Sequence, residues 1–195
     1  MGGMLSLLVA EKHPELVRGV VLLDAPVIAG WRAWMVRWGR NTKLGEKISP
    51  ARISARRRNI WPDTESAFQH YASKDMFARW APGVLQDYIE HGLVSHRDGV
   101  TLRFTREVET AVYRTLPDHI GQLVRSKFPV PVGFVGGRGS VECRQAGLSA
   151  TRRLVGEHFK LIAGGHLFPM ESPAVAAATV HALIQGMFTA YQQEL

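Results

Sequence analysis

The sequence has 195 residues, the length of one ordinary domain or most of one, with a formal net charge of +7. Its composition, 46% hydrophobic and 21% charged residues, is typical of soluble globular proteins. The longest early apolar run, residues 7–10, is far shorter than the roughly 20 residues that a membrane span needs. The single cysteine, Cys143, excludes an internal disulfide and a multi-cysteine metal site, and it fits a reducing environment. We therefore expect a cytoplasmic protein without stable membrane insertion.

The first predicted elements are a helix and a buried strand. Residues 4–13 are apolar nearly all round, which indicates a buried helix. The run Val20-Val-Leu-Leu23 follows, bounded by Gly19 and Asp24. A continuous apolar run of this length is typical of a strand that is buried on both faces, as in a parallel sheet.

Residues 28–125 are rich in tryptophan, arginine and short amphipathic stretches, which indicates a helical insertion, or lid, between two strands of one sheet. Helices are predicted at 31–39, 64–72, 82–91 and 105–114. Trp31, Trp34 and Trp38 recur on one helical face. Packing of the lid on the core is the first interpretation of these rings. The alternative is an apolar wall that lines a substrate site.

The basic charge is concentrated in one segment. Residues 31–60 contain nine Lys and Arg and one acidic residue, so the rest of the chain is close to neutral. Such a segment is able to contact phosphates, an anionic membrane surface or an acidic partner. No nucleic-acid-binding motif accompanies it, which disfavours nucleic acid. A solvated face of a lid helix is the preferred interpretation.

The α/β pattern returns after the insertion. Strands are predicted at 130–135 and 159–163, with a helix over 143–155 between them and an alanine-rich helix over 174–191 after them. Strands that alternate with helices through short glycine-rich joints predict an α/β fold with a parallel sheet. The predicted core is 1–27 with 126–195, and the predicted lid is 28–125.

A histidine follows the last predicted strand directly, in Gly164-Gly-His166. Open α/β sheets place their sites just beyond the carboxyl ends of the strands. The glycines allow a tight turn that brings the imidazole over the sheet edge. His166 is therefore a candidate catalytic base.

Four segments in their order along the chain resemble the α/β-hydrolase family of serine type: MGGM with its apolar helix, HPELVRGVVLLDAP, residues 129–137 and GGHLFPMESP. In that family a serine lies in a G-x-S-x-G turn between a strand and a helix. The start Met1-Gly-Gly-Met4 is similar to the second half of that turn. The resemblance implies the C-terminal part of this fold, with three parallel strands, flanking helices and a helical lid.

The same resemblance implies a mechanism. The nucleophilic serine would lie directly before Met1, so the 195-residue chain would be truncated just after it and inactive alone. The backbone N–H of Met1 would form part of the oxyanion hole. The implied activity is hydrolysis of ester or related acyl bonds in small molecules, with no cofactor and no metal.

The acidic partner of His166 is open between two carboxylates. The family places an aspartate in a Gly-x-x-Asp pattern after the second strand, and here Ser140 occupies that position. Asp24, at the end of the first strand, is slightly preferred over Glu142, which lies two residues past Ser140. Glu171 is interpreted as a loop or helix-entry acid, because it is so close to His166 in sequence.

Two other functions remain open at this point. One is a non-catalytic relative that acts as a binding or interaction module, which the serine at position 140 favours. The other is a binder of anionic surfaces through residues 31–60. In a truncated chain the strand at 19–23 would lack a neighbour that the family has, so we expect the chain to be marginally stable alone or to self-associate through this edge.

Overall fold

The computed structural model describes residues 1–34, 42, 50–115, 117, 119–124 and 127–193. These residues form two compact units, the first from the described parts of 1–37 and 117–195 and the second from those of 38–116. The structure thus groups residues 28–34 and 117–124 with the predicted core, whereas the sequence boundaries at 27/28 and 125/126 assigned them to the lid.

The strands are β1 (Val20–Leu23), β2 (Ile60–Trp61), β3 (Leu93–His96), β4 (Gly99–Leu102), β5 (Val132–Gly137) and β6 (Phe159–Ile162). The helices are α1 (Gly2–Lys12), α2 (Pro50–Arg56), α3 (Thr64–Ala72), α4 (Asp75–Ala78), α5 (Val84–Gly92), α6 (Arg106–Arg114), α7 (Ile120–Leu123), α8 (Val141–Ala146), α9 (Ser149–Val155), α10 (Phe168–Glu171) and α11 (Pro173–Gln193). A short 3₁₀ helix covers Pro14–Leu16, and residues 31–34 are helical.

The sheet of the first unit confirms the three predicted parallel strands. Its order is β1-β5-β6, with Val20 opposite Val132 and Phe134 opposite Phe159. All six residues of β5 are buried, which is why the run reads as continuously apolar. Strand β5 begins at Val132 and not at residue 130.

Helix α1 packs on this sheet through one face only. Leu7 and Ala10 are buried, whereas Leu5 and Val9 are 50% and 47% exposed. The prediction of a helix buried all round is therefore wrong. The predicted helix over 143–155 is also corrected, because the chain forms two helices there, α8 and α9. On the other side, α11 covers β5 with Leu183 and Met187.

The second unit is not purely helical, which corrects the prediction of an all-helical lid. Three predicted helices are found as α3, α5 and α6 with ends within two residues of those expected. In addition, β2, β4 and β3 form an antiparallel sheet. Its core is an aromatic cluster around Trp61, Tyr71 and Phe77. Of the helix predicted over 31–39, only 31–34 belongs to the described residues.

Among the described residues, no helix has both the length and the apolar character needed to cross a membrane.

Candidate active site

The candidate site gathers residues from the ends of three adjacent parallel strands. Asp24 follows β1, Ser140 lies three residues after β5, and His166 lies four residues after β6. The carboxyl ends of parallel strands meet at one edge of a sheet, where open α/β folds place their ligands. Residues more than 100 positions apart in sequence are thereby brought into hydrogen-bonding contact.

Asp24 is the centre of this cluster. Its side chain is 1% exposed and accepts two hydrogen bonds on each carboxylate oxygen. On Oδ1 the donors are the Gly137 N–H at 2.8 Å and the Cys143 thiol at 3.2 Å. On Oδ2 they are the Ser140 hydroxyl at 2.5 Å and His166 Nδ1 at 2.7 Å. A buried carboxylate with four donors is fully satisfied as an anion.

The environment of Asp24 favours its ionised form. Burial by itself raises the pKa of a carboxyl group, but the hydrogen bonds from His166, Ser140, Gly137 and Cys143 outweigh it and hold the pKa of Asp24 below its ordinary 3.8. Burial also raises the pKa of the Cys143 thiol to about 12. Cys143 is therefore a neutral donor near neutral pH.

The backbone of Asp24 is itself unusual. Its φ is +46°, and Asp24 is the non-glycine residue with positive φ among those described. Left-handed geometry is uncommon outside glycine, although aspartate tolerates it better than most residues. Strained positions of this kind concentrate at functional sites. The turn directs the carboxylate under the imidazole of His166.

His166 has the hydrogen-bonding pattern of an oriented base. An ionised Asp24 only accepts hydrogen bonds, so Nδ1 of His166 carries the proton between them. In the neutral ring, Nε2 is then free to accept a proton. The His166 side chain is 47% exposed, so the imidazole is accessible from solvent while its partner is buried.

Three charged groups act on His166. The hydrogen bond to Asp24 raises the pKa of His166 above its ordinary 6.5, burial opposes this, and the Glu142 carboxylate raises it further. The positive amino group of Met1 lowers the pKa. The start of α1 therefore lies close enough to the imidazole to act on it electrostatically.

Glu142 is the more distant of the two candidate carboxylates. Its Oε2 lies 3.9 Å from His166 Nδ1, and its side chain is 49% exposed. The same oxygen is 3.3 Å from the Ser140 hydroxyl. That hydroxyl has one proton, and its much shorter contact is with Asp24. Glu142 thus lies near the imidazole, in the first turn of α8, but its carboxylate accepts no hydrogen bond as short as those that Asp24 accepts from Ser140 and His166.

Ser140 has two structural contacts at the position where the resemblance implied an aspartate. It caps the N-terminus of α8 by accepting a hydrogen bond from Cys143 N–H at 3.1 Å, and it donates to Asp24. Sequence reasoning treated Ser140 as a missing acid and did not consider Cys143. A serine directly before a helix is a capping signal that would have indicated the first role.

The loop that carries His166 is held by its own contacts. Glu171 accepts a hydrogen bond from Gly165 N–H at 3.0 Å. Gly164 has φ +119°, and a Cβ there would meet both Glu171 and Phe168 at 2.8 Å. Glycine is required at this position. Glu171, the last residue of α10, thus supports the loop that carries His166.

The remaining predicted site residues lie elsewhere or outside the described residues. Trp31 and Trp34 are 62% and 64% exposed, so neither ring is buried. The guanidinium of Arg32 lies 4.8 Å from the Trp31 ring centroid. Trp38 lies outside the described residues. Whether Trp31 and Trp34 line a substrate site stays a prediction.

A small apolar cavity of about 30 Å³ lies beside the site. Its lining includes Ala25 and Pro26, which follow Asp24 directly, and Met4 and Leu7 of α1. Sequence reasoning did not predict it, because its walls come from separate segments. Its volume exceeds the space that one water molecule needs.

Comparisons with solved structures give similar folds at low sequence identity. An E-2-(acetamidomethylene)succinate hydrolase superposes with a TM-score of 0.69 and 20% identity, over 92% of this chain and 62% of its own. The peroxisomal alpha-beta-hydrolase Lpx1 of Saccharomyces cerevisiae has a TM-score of 0.70 and 14% identity, over 96% of this chain and 51% of its own. An esterase of M. tuberculosis, studied for transition metal inhibition, has a TM-score of 0.61 and 16% identity, over 94% of this chain and 59% of its own.

No protein-family model matches the chain, and no curated protein sequence matches it. The structural likeness nevertheless covers nearly all of this chain. The chain therefore has the α/β-hydrolase fold over the part of that fold that it spans, which is 51–62% of the length of the three compared chains.

Proposed function

We propose that this chain carries the base and the acid of a serine-type acyl hydrolase, with His166 as general base and Asp24 as the residue that orients it. The observation that supports this most directly is the 2.7 Å contact between His166 Nδ1 and Asp24 Oδ2, with the aspartate buried and the histidine accessible. This is the hydrogen-bonding pattern by which a carboxylate fixes the tautomer of a catalytic imidazole.

In the proposed mechanism Nε2 of His166 takes the proton of a nucleophilic hydroxyl as it attacks the acyl carbon. The resulting imidazolium is stabilised by the Asp24 carboxylate, and the proton is later given to the leaving group. Glu142 adds negative charge near the ring but is less favourably placed to orient it, because its oxygen is 3.9 Å away.

We further propose that the nucleophile is a serine directly before Met1 in a longer protein, with the N–H of Met1 as one oxyanion donor. Two observations support this. The amino group of Met1 acts electrostatically on His166, and Gly3 of α1 is packed closely against Ala25, the residue after Asp24. A residue that preceded Met1 would enter the surroundings of the imidazole.

The substrate class that fits best is an ester, or related acyl compound, with a short acyl group. The cavity whose wall includes Ala25 and Pro26, the two residues after Asp24, is small and apolar. Acetyl and propionyl esters are therefore the expected substrates, and longer acyl chains are expected to react more slowly unless they leave the cavity.

The decisive experiment begins with the DNA upstream of the Met1 codon. If the reading frame continues and encodes Gly-x-Ser directly before Met1, that longer protein is expressed and treated with a fluorophosphonate probe. We expect labelling of the serine and hydrolysis of p-nitrophenyl acetate. His166→Ala should reduce hydrolysis by roughly a thousandfold or more, whereas His181→Ala, on the exposed face of α11, should not.

The opposite outcomes are equally clear. A stop codon and a ribosome-binding site immediately upstream, or a longer protein that neither reacts with the probe nor hydrolyses esters, would overturn the catalytic proposal. The non-catalytic binding protein with the same fold would then become the better description.

A further inference from the structure

We infer that His166, Asp24 and Glu142 together form a binding site for a divalent transition-metal ion such as Zn²⁺, and that the bound ion blocks the proposed base. The binding itself does not depend on the proposed function, whereas the blocking effect does. No role for a metal was expected from the sequence.

The three side chains each direct one donor atom to a common point. Their ligand atoms all lie within 4.8 Å of one another. His166 Nδ1 is 2.7 Å from Asp24 Oδ2 and 3.9 Å from Glu142 Oε2. One imidazole nitrogen and two carboxylate oxygens are a donor set that suits zinc.

The fit requires the ligand side chains to move, because their ligand atoms are up to 4.8 Å apart. Ligands of tetrahedral zinc, at bond lengths of about 2.0–2.2 Å, are separated by about 3.3 Å. The distance from His166 Nδ1 to Asp24 Oδ2, now 2.7 Å, must therefore increase. The distance from His166 Nδ1 to Glu142 Oε2, now 3.9 Å, must decrease by a similar amount. Asp24 is fixed by its buried donors, but the half-exposed side chains of Glu142 and His166 are free to adjust. Their exposure also leaves a fourth position to water.

The surroundings of the three ligands suit a cation. Asp24 keeps two neutral donors on Oδ1, from Gly137 and Cys143, which orient its other oxygen. Groups that orient a ligating carboxylate in this way strengthen a metal site. The two carboxylates give the site a charge of −2 before an ion binds, and the Met1 amino group is the positive group that acts on it.

The chemical consequence follows from the nitrogen that the ion occupies. In the unliganded site the Nδ1 proton points to Asp24, and Nε2 is the basic nitrogen. An ion on Nδ1 displaces that proton, and the single proton of the neutral ring is then carried by Nε2. Nε2 then has no lone pair to accept a proton from a nucleophile. A bound ion would thus remove the general base without displacing any residue.

The test uses the tag-free 195-residue chain, ZnCl₂ and isothermal titration calorimetry. We expect one site that is lost in His166→Gln and weakened by at least roughly tenfold in Glu142→Gln, since even changes outside the ligand shell reach that scale. The matched control is Glu157→Gln, an exposed carboxylate of equal charge, which should bind Zn²⁺ unchanged. Mg²⁺, which prefers octahedral oxygen ligands, should not compete.

Side-chain ¹H–¹⁵N correlation spectra of histidine identify the nitrogen that binds. Zn²⁺ should shift the Nδ1 signal of His166 and leave a protonated Nε2. Three results would overturn the inference. Zn²⁺ binding would persist in His166→Gln, it would be weakened as much in Glu157→Gln as in Glu142→Gln, or it would occur through Nε2. If the longer protein proves to be a hydrolase, Zn²⁺ should inhibit it with the affinity measured by calorimetry. If it is not, calorimetry and spectra still decide the metal site by themselves.

Discussion

Asp24 determines the properties of the candidate site, because it accepts hydrogen bonds from His166, Ser140, Cys143 and Gly137. Its replacement by asparagine keeps the size of the side chain but removes the charge that holds the His166 proton. The groups that act on His166 are Asp24, Glu142 and the Met1 amino group. With Asp24 neutral, we expect the pKa of His166 to fall below that of the wild type.

This change is measured by NMR titration of His166 in buffer with EDTA, so that no metal ion contributes. The matched variant is Glu142→Gln, for which the fall should be smaller because Glu142 is more distant and makes no close hydrogen bond to the ring. Glu142 would be identified as the controlling acid if the pKa of His166 were unchanged in Asp24→Asn. The same conclusion would follow if the pKa of His166 fell further in Glu142→Gln than in Asp24→Asn.

The Asp24–His166 pair should also make stability depend on pH. The pKa of His166 is raised in the folded protein, so its contribution is complete below the ordinary value of 6.5 and is lost as pH rises through the folded pKa. The pKa of Asp24 is lowered, so its contribution is present above 3.8 and is lost as pH falls through the folded pKa. The pair should stabilise most between these limits.

Urea unfolding of the wild type and His166→Gln at several pH values measures this window. The stability difference between the two proteins should be largest at about pH 5–6 and should shrink on the alkaline side as His166 loses its proton. A difference that stays constant from pH 5 to pH 9 would show that the pair is not coupled to folding in this way.

Ser140 should contribute to stability through its two contacts. Ser140→Ala removes the cap of α8 and one donor to buried Asp24, and each loss typically costs about 1 kcal/mol or somewhat more. We expect a loss of about 1–3 kcal/mol in chemical unfolding. Ser149→Ala, at the exposed first residue of α9, is the control and should change stability little. Equal effects of the two substitutions would argue against the role of Ser140.

Sequence reasoning named His166, Asp24 and Glu142 as candidates but did not give the contacts between them. His166 and Asp24 follow apolar runs that are evident in the sequence, so their places at strand ends were predictable. The choice between Asp24 and Glu142 depended on a distance across 142 residues, and no local pattern contains it. The donors Ser140 and Cys143 become visible only once β1 and β5 are paired in register.

The junction of α1 and β1 offers a comparison between adjacent glycines of one helix. A Cβ on Gly3 would lie 2.7 Å from Ala25 Cβ and 3.1 Å from Leu22, whereas a Cβ on Gly2 would meet nothing within 4 Å. Ala25 Cβ has no flexibility with which to move away. Gly3→Ala should therefore destabilise the chain by about 1–3 kcal/mol through overpacking.

The same substitution at Gly2 should have the opposite sign. Alanine is favoured over glycine in helices by up to about 1 kcal/mol, and position 2 leaves room for the added methyl group. Thermal unfolding of Gly2→Ala and Gly3→Ala provides the comparison. Destabilisation of similar size in both variants would mean that the start of α1 is not packed against Ala25 as described.

The elements that sequence reasoning missed are short ones. Strands β3 and β4 form a hairpin through Arg97 and Asp98, with Asp98-Gly99 at the turn. Asp-Gly between two alternating runs is a strong hairpin signal, so these two strands were predictable in LVSHRDGVTL. Strand β2 was not, because two residues carry no periodicity. It pairs with β4, and its Trp61 lies in the aromatic cluster.

The free edge of β1 is the feature with the largest consequence for the 195-residue chain. Within the described residues β1 pairs only with β5. The Val20 and Asp24 N–H groups donate to Pro131 and Val135. The alternate N–H groups, those of Val21 and Leu23, therefore face the opposite edge. An unpaired edge with apolar side chains favours pairing with another chain.

We therefore expect the 195-residue chain to self-associate through this edge. Its mass by light scattering should rise above 21.7 kDa as concentration increases. Leu23→Lys places a charge at a side chain that is 42% exposed on the edge strand and should keep the chain monomeric. Leu16→Lys, at a 73% exposed position in the 3₁₀ helix, adds the same charge elsewhere and should not. A chain that is monomeric at all concentrations would show that this edge does not pair. Equal suppression of self-association by Leu23→Lys and Leu16→Lys would show the same, because only a charge on β1 itself opposes strand addition there.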